Sequence, residues 1–363
     1  MKTKSSTLYD VARQAGVSYQ TVSRVINQAE NVSDKTRKKV EAAMAALHYV
    51  PNRVAQQLAG KQSKTLGLVT TTLSLHAPSQ IAASVKSTAG RHNFNVLISM
   101  LEQPDAQGCR RAISYLLSQR VDGLIVNMPL EDAEVQMMRD ACGGVPLIFA
   151  DVNPALAANS VLFDPAEGAR LGVSHLLKLG HQRIALLAGP HASVSSRLRL
   201  EGWLAGLAAA ALKPVTVMYG NWSARSGFDT MSALLASGTR PDALLVANDQ
   251  MALGAMRALS EAGLQVPAQV SVIGYDDTED SACYIPPLTT VKQDFRLLGE
   301  EIVERLVRQI ASGEAQSQPR ILPVTLVERK TTARPGGTAP TPGQLADALM
   351  LLARQVAQLP PEQ

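Results

Sequence analysis

Leu244-Leu245-Val246-Ala247-Asn248-Asp249 is a short, unbroken apolar run ending on two side chains of the kind that cap helices. A run of this length suits a strand buried on both faces, and it is far too short to span a bilayer. Runs of the same kind recur. Strands are expected at Leu66–Val69, Val96–Met100, Leu124–Val126, Leu147–Phe149, Val161–Phe163, Ile184–Leu187, Val215–Met218 and Val270–Ile273, with helical patterns between most of them. Strands and helices in alternation mark an α/β chain with doubly wound parallel sheets. There are about twice the strands that one such half needs, so residues 65–334 are expected to form a two-lobed core with a cleft between the lobes.

Upstream of Thr65 the rhythm differs. Thr7-Leu8-Tyr9-Asp10 reads as a capping box that opens a helix ending near Ala15-Gly16. Ser18 caps a second helix, running to about Asn27. Ser33 caps a third, from Asp34 to about Leu47, with Val40, Ala43, Met44 and Leu47 as its apolar positions. Helix, tight turn at Gly16-Val17 and helix describe a helix-turn-helix head over residues 1–51. Val22 and Val25 face a small core, which leaves Tyr19, Gln20 and Arg24 on or near the outward face. Glutamine can pair with adenine and arginine can fork onto guanine in the major groove. Residues 1–64 carry eleven Lys/Arg and four Asp/Glu, a net of +7, whereas the rest of the chain is mildly acidic. A basic head on an acidic body points to a polyanion as partner of the head. The pattern alone also suits an ordinary solvated three-helix domain.

Pro51 interrupts the pattern, and Asn52 caps a helical stretch that Gly60 stops, within a hinge of residues 52–64. An isolated helix this short is marginal in water, so a plain linker fits these residues equally well. Residues 335–343 are rich in Pro and Gly and read as a flexible linker. In the tail, 344–363, Leu345, Leu349, Leu352, Val356 and Leu359 fall at alternating spacings of four and three, an a/d seam of two heptads.

A sugar site needs forked donors, carboxylates for hydroxyls and an aromatic plate. Asp151, Asn248-Asp249 and Asp276-Asp277 each follow an expected strand. Arg199 lies early in the helical region after Ala188-Gly189-Pro190, and Trp222 is expected to open another helical segment. This placement fits the rule that open α/β sheets bind ligands at strand carboxyl ends. Each residue also has an ordinary use, as helix cap, surface ion pair or packing. Cys109, Cys142 and Cys283 have no metal or disulfide spacing, and His175 and His181 have no ligand framework around them. No G-x-S-x-G or H-E-x-x-H motif occurs. A non-enzymatic protein without metal or cofactor is expected. Met1–Ser6 has no apolar signal-peptide core and no apolar run spans a bilayer. The expected location is therefore cytoplasmic, at the nucleoid, with no membrane partner.

Leu8-Tyr9-Asp10-Val11-Ala12, Gly16-Val17-Ser18 and Thr21-Val22-Ser23-Arg24-Val25 resemble the head of the bacterial repressor family that includes the lactose, galactose and purine repressors. The resemblance continues through Pro51–Ser63, Leu75–Ile81, Val246–Gly254, Gly274–Asp280 and Cys283–Thr290, and so covers essentially the whole chain. It implies a periplasmic-binding-protein-like core, a hinge helix that orders on the operator, and a sugar-responsive repressor. That repressor would hold double-stranded operator DNA of lac type as dimeric units and release it on binding a galactoside inducer. A repressor answering another small ligand, or a sugar-binding transport protein, is the alternative.

By the same resemblance, Tyr19, Gln20 and Arg24 read bases and Leu58 wedges between base steps. Thr7, Leu8, Ser18, Thr21, Ser23, Asn27, Asn52, Val54, Ala55 and Gln56 complete the DNA contacts. Arg199, Asn248 and Asp276 would bond galactoside hydroxyls, with Asn127, Asp151, Ser195 and Thr71 nearby. Leu75, Pro78, Ile81, Trp222 and Phe295 would form the apolar wall. Ala150 and Thr71 depart from the leucine and serine of the family member sharing Tyr19-Gln20, which implies a roomier pocket. Lys86 and Tyr284 match dimer-interface positions, and the tail implies assembly of homodimers into a homotetramer.

Overall fold

The computed structural model describes residues 6–26, 31–50, 62–101, 105–314, 316–335, 346 and 349–350. Asn27, the stretch Asn52–Leu58 and the seam residues Leu345, Leu352, Val356 and Leu359 lie outside the described residues. The chain divides at Lys64 into two compact units.

The first unit is helical: α1 (Leu8–Ala15), α2 (Tyr19–Ile26) and α3 (Asp34–Ala46). The capping box is formed in full, with Asp10 Oδ2 accepting from the Thr7 backbone at 2.9 Å and Thr7 Oγ1 accepting from the Asp10 backbone at 3.4 Å. Gly16, at φ +65°, ends α1 by donating its N–H to the Ala12 and Arg13 carbonyls. That left-handed conformation is the one glycine adopts at least cost. Val11, Ala12, Val22, Val25, Val40 and Ala43 close the small core.

The second unit holds two α/β lobes. In the N-terminal lobe, β1 (Thr65–Thr70), β2 (Asn95–Met100), β3 (Gly123–Asn127) and β4 (Leu147–Phe149) form an all-parallel sheet in the order β2-β1-β3-β4. The helices between these strands and after β3 are α4 (His76–Arg91), α5 (Ala106–Ser118) and α6 (Asp132–Ala141).

Next come β5 (Val161–Phe163), α7 (Pro165–Leu179), β6 (Ile184–Ala188), α8 (Val194–Ala209), β7 (Val217–Tyr219), α9 (Ala224–Ala236), β8 (Ala243–Val246), α10 (Asp249–Glu261), β9 (Ser271–Asp276), β10 (Thr289–Lys292), α11 (Phe295–Ser312), β11 (Arg320–Leu322) and β12 (Thr325–Val327). The C-terminal sheet runs β12-β10-β9-β8-β6-β7, parallel except where β12 meets β10. Every residue of β3, β6, β8 and β9 is buried, as continuous apolar strands covered on both faces require.

The chain crosses between the lobes three times: around β5, between β10 and α11, and between β11 and β12. β5 and β11 pair in parallel at the crossing, and the Asp164 N–H donates to the Leu322 carbonyl at 3.2 Å. Helix α11 belongs to the N-terminal lobe although it is late in the chain. Its Phe295, Leu298, Ile302, Val303 and Leu306 pack with Leu66, Leu68, Ile125 and Ile148.

Four strands differ from expectation. β10, β11 and β12 were not anticipated, because Thr289-Thr290-Val291-Lys292 is not apolar and Arg320 and Thr325 leave the other two only two apolar residues each; β7 lies at Val217–Tyr219 and not at Val215–Met218. Trp222 does not open a helix: α9 starts at Ala224 with Ser223 as its cap, and Trp222 sits just before it at φ +74°. Cys109 and Cys142 are buried in the N-terminal lobe, where burial pushes their thiols up to about 12 and about 11.

Candidate functional site

On the head, α2 begins at a turn fixed by Ser18, whose Oγ accepts from the Thr21 backbone at 3.1 Å and lies 2.9 Å from Thr21 Oγ1. With Val22 and Val25 held inward, Tyr19, Gln20 and Arg24 are exposed and Thr21 and Ser23 half-buried. The Tyr19 ring stacks on Tyr9, centroids 5.0 Å apart, which limits the directions it can take. Thr7 is exposed, whereas Leu8 is half-buried against the head core.

Between the lobes lies a cleft of about 380 Å³. It brings together all twelve sequence-designated ligand residues: Thr71, Leu75, Pro78, Ile81, Asn127 and Asp151 from the N-terminal lobe, Ser195, Arg199, Trp222, Asn248 and Asp276 from the C-terminal lobe, and Phe295 from the start of α11. Ala150 also lines it.

The centre of the polar side is Arg199. It is buried on α8, donating from one nitrogen to the Ala247 carbonyl at the end of β8. A second nitrogen donates to Gln293 Oε1 at 3.0 Å and lies 3.8 Å from Asp276 Oδ1. Its guanidinium carbon sits 3.8 Å from the Tyr275 ring centroid and 5.7 Å from that of Trp222. A planar cation against aromatic faces suits arginine and not lysine.

Asp276 ends β9 at φ +119°, a backbone state that L residues rarely adopt. Burial pushes its carboxyl up to about 8 against the opposing pull of Arg199. Burial thus favours its protonated form, which can both donate and accept. Asp151 is pushed up to about 6 by burial, offset by Arg199 and by a hydrogen bond from the Ser195 backbone across the cleft. Asn248 Oδ1 accepts from the Met251 backbone at 2.9 Å, and its Nδ2 donates to the Trp222 carbonyl at 2.9 Å. It thus caps α10 while fixing the Trp222 backbone. Asn127 Nδ2 donates to Thr70 Oγ1 at 3.3 Å.

The Asn248-Asp249 and Asp276-Asp277 pairs split. Asp249 is fully buried away from the cleft and accepts from Ser281 and Thr290 hydroxyls at 2.6 Å each and from the Thr278 backbone at 3.0 Å. Asp277 pairs with Arg329 at 2.6 Å. Both are framework groups.

The sequence reading missed Gln293, Gln250 and Asn221, which also line the cleft. Gln293 follows the unanticipated β10, so no expected strand end drew attention to it. Gln250 Oε1 accepts from the His76 backbone at 3.2 Å, tying one lobe to the other. Among the described residues no group of His, Cys, Asp or Glu could hold a metal, and no helix is long and apolar enough to cross a membrane.

Two family models match the chain: bacterial regulatory proteins of the lacI family at residues 7–52, and a periplasmic binding protein-like domain at residues 173–332. The chain is 57% identical to the lactose operon repressor of Escherichia coli (strain K12) over 356 residues, 98% of this chain and 99% of that one. It is 43% identical to the lactose operon repressor of Klebsiella pneumoniae over 331 residues, covering 91% of this chain and 93% of that one. A crystal structure of the lac repressor dimer bound to operator and the anti-inducer ONPF superposes with TM-score 0.86 at 57% identity, covering 91% of this chain and all of that one.

Proposed function

The chain belongs to the lacI family of bacterial regulatory proteins, and from that premise we propose that it represses transcription by holding a lac-type operator and letting go when a galactoside fills its cleft. It acts by binding and not by catalysis. The observation that carries this reading is the cleft itself. Forked donor, carboxyl groups, amide side chains and an indole converge there from both lobes, on a chain that also carries a basic helix-turn-helix.

The proposed division of labour follows the chemistry. Gln20, Arg24 and Tyr19 face base edges, while Ser18, Thr21, Ser23, Thr7 and neighbouring basic groups hold phosphates. The hinge 52–64 orders on DNA, with Leu58 as its wedge. In the cleft, Arg199, Asn248 and Asp276 take sugar hydroxyls, with Asn127, Asp151, Ser195 and Thr71 beside them. Leu75, Pro78, Ile81, Phe295 and Trp222 cover the apolar parts of the ligand. A hydroxyl-rich ligand suits this site, because Arg199 and the amide side chains offer fixed polar groups and the Asp276 carboxyl, which burial biases toward its protonated form, can donate as well as accept.

Sugar and operator favour different arrangements of the lobes, so each weakens the other's binding by the same factor. Asp151 receiving the Ser195 backbone across the cleft supports a lobe arrangement that responds to ligand. Two protomers bind one operator through the paired heads, and the tail joins two such dimers.

A gel shift with a lac-type operator, with and without a β-galactoside, tests the reading. Retarded DNA that the sugar frees is the expected result; retardation that saturating β-galactoside leaves intact overturns the sugar assignment.

A further inference from the structure

Gly189 follows β6 and is buried beside the cleft. A Cβ placed on it would lie 2.4 Å from Trp222 Cη2, 2.5 Å from Cζ2 and 2.7 Å from Cζ3. The six-membered ring of the indole therefore rests directly on the Gly189 backbone. The Gly189 φ lies outside the left-handed region, so the backbone itself would accept alanine at this position. Among the described glycines that side chains press against, this is the one that meets a cleft-lining ring.

The indole cannot yield by moving its own backbone. Trp222 is held at φ +74°. On one side Asn221 Oδ1 accepts from the Ser223 backbone at 3.2 Å and from its hydroxyl at 2.6 Å, and the Asn221 N–H donates to Ser226 Oγ at 3.0 Å. On the other, Asn248 Nδ2 holds the Trp222 carbonyl at 2.9 Å. Nor can the floor yield, because the Ala188 carbonyl accepts from the Gly220 backbone at 2.9 Å. A methyl group at position 189 leaves the ring only the open direction, into the cleft.

We infer that Gly189 is a specificity-determining positioning residue: by lacking a side chain it seats the Trp222 indole against the sheet and so sets the width of the cleft available to a sugar ring. This rests on the proposed ligand role of the cleft. Gly189 itself offers no polar side-chain atom to the ligand and acts through the ring. Replacing it should narrow the space in which a pyranose C–H face lies on the indole.

The test is a double-mutant cycle in the full-length protein, Gly189→Ala in the native and in the Trp222→Leu background, titrated with methyl β-D-galactoside. Gly189→Ala is expected to weaken binding about tenfold or more in the native background, and less than about twofold once the indole is gone. An equal loss in both backgrounds, which a general folding defect would also give, overturns the inference. A second arm needs no sugar. The chain has two tryptophans and Trp203 is buried, so acrylamide quenching reports mainly Trp222. Quenching should rise in Gly189→Ala, and unchanged quenching overturns the seat. If the native protein fails to bind the galactoside while quenching rises, the ligand assignment falls and the seat stands.

Discussion

Arg197 of the C-terminal lobe forks onto Glu131 of the N-terminal lobe, with N–O distances of 2.7 and 3.2 Å. Arg197 lies on α8, two residues from Arg199, and Glu131 caps α6. The fork holds the Glu131 carboxyl below its ordinary range. Glu131 is exposed and Arg197 half-buried, and pairs open to solvent contribute about 0–1 kcal/mol, so the fork biases the lobes without locking them. Glu131→Gln is expected to raise the galactoside concentration needed for half-release of the operator by up to about fivefold, measured by titrated gel shift. An unchanged half-release point would show that the fork does not bias the lobes.

Asp276 makes the stability of the core depend on pH. Its carboxyl titrates near 3.8 when unfolded and about 8 when folded. Because the folded form holds the proton more tightly, its contribution is complete below the unfolded value and is lost as pH rises through about 8. Asp151 and Asp249, pushed up to about 6, have the same sign but finish earlier. Asp276→Asn keeps the shape and suits a positive φ. It should flatten the fall of melting temperature between about pH 6 and pH 8 and lessen without abolishing the fall at lower pH, where Asp151 and Asp249 still contribute. Equal slopes above pH 6 would count against the buried proton.

Gln20 and Arg24 stand exposed on α2. Replacing either by alanine should weaken operator binding by about 1–3 kcal/mol, read by gel shift at fixed salt, with galactoside affinity retained. Leu58→Ala should likewise weaken operator binding while sugar still binds. Operator affinity unchanged in any of these variants removes that residue from the DNA surface.

Deleting residues 341–363 should give dimers that still bind one operator, as measured by sedimentation equilibrium. Leu349, a member of the expected seam, is 68% exposed in the single chain. A leucine in that state fits a surface that another copy covers. A deletion protein that still forms tetramers would place the assembly contact elsewhere.

Much of this architecture was legible from residue order, for reasons particular to each element. Leu147–Phe149 and Val161–Phe163 appear at the expected bounds because each is an apolar triplet with Pro, Asn or Asp within two residues on either side. Thr7 and Asp10 announced α1 because a capping box is a local device that needs no tertiary support. Thr289–Lys292 was missed because its burial comes from neighbours on both sides and not from its own polarity, and with it went Gln293. The left-handed backbone of Trp222 and the seat beneath it were hidden as well, since both arise from contacts between segments distant in the sequence. The cleft set came from strand-end placement combined with family resemblance; residue types alone left helix capping and packing equally open.

Helix α11 completes the hydrophobic layer over the first sheet, yet its residues follow all of the second lobe except the edge strand β12 and the segment after it. While the protein is being made, the early sheet leaves the ribosome with one face covered only in part, by α4, and waits for more than a hundred further residues before that cover is complete. A message that stops before codon 295 therefore spoils both lobes at once, so the sensor should be acquired late in translation and as a whole.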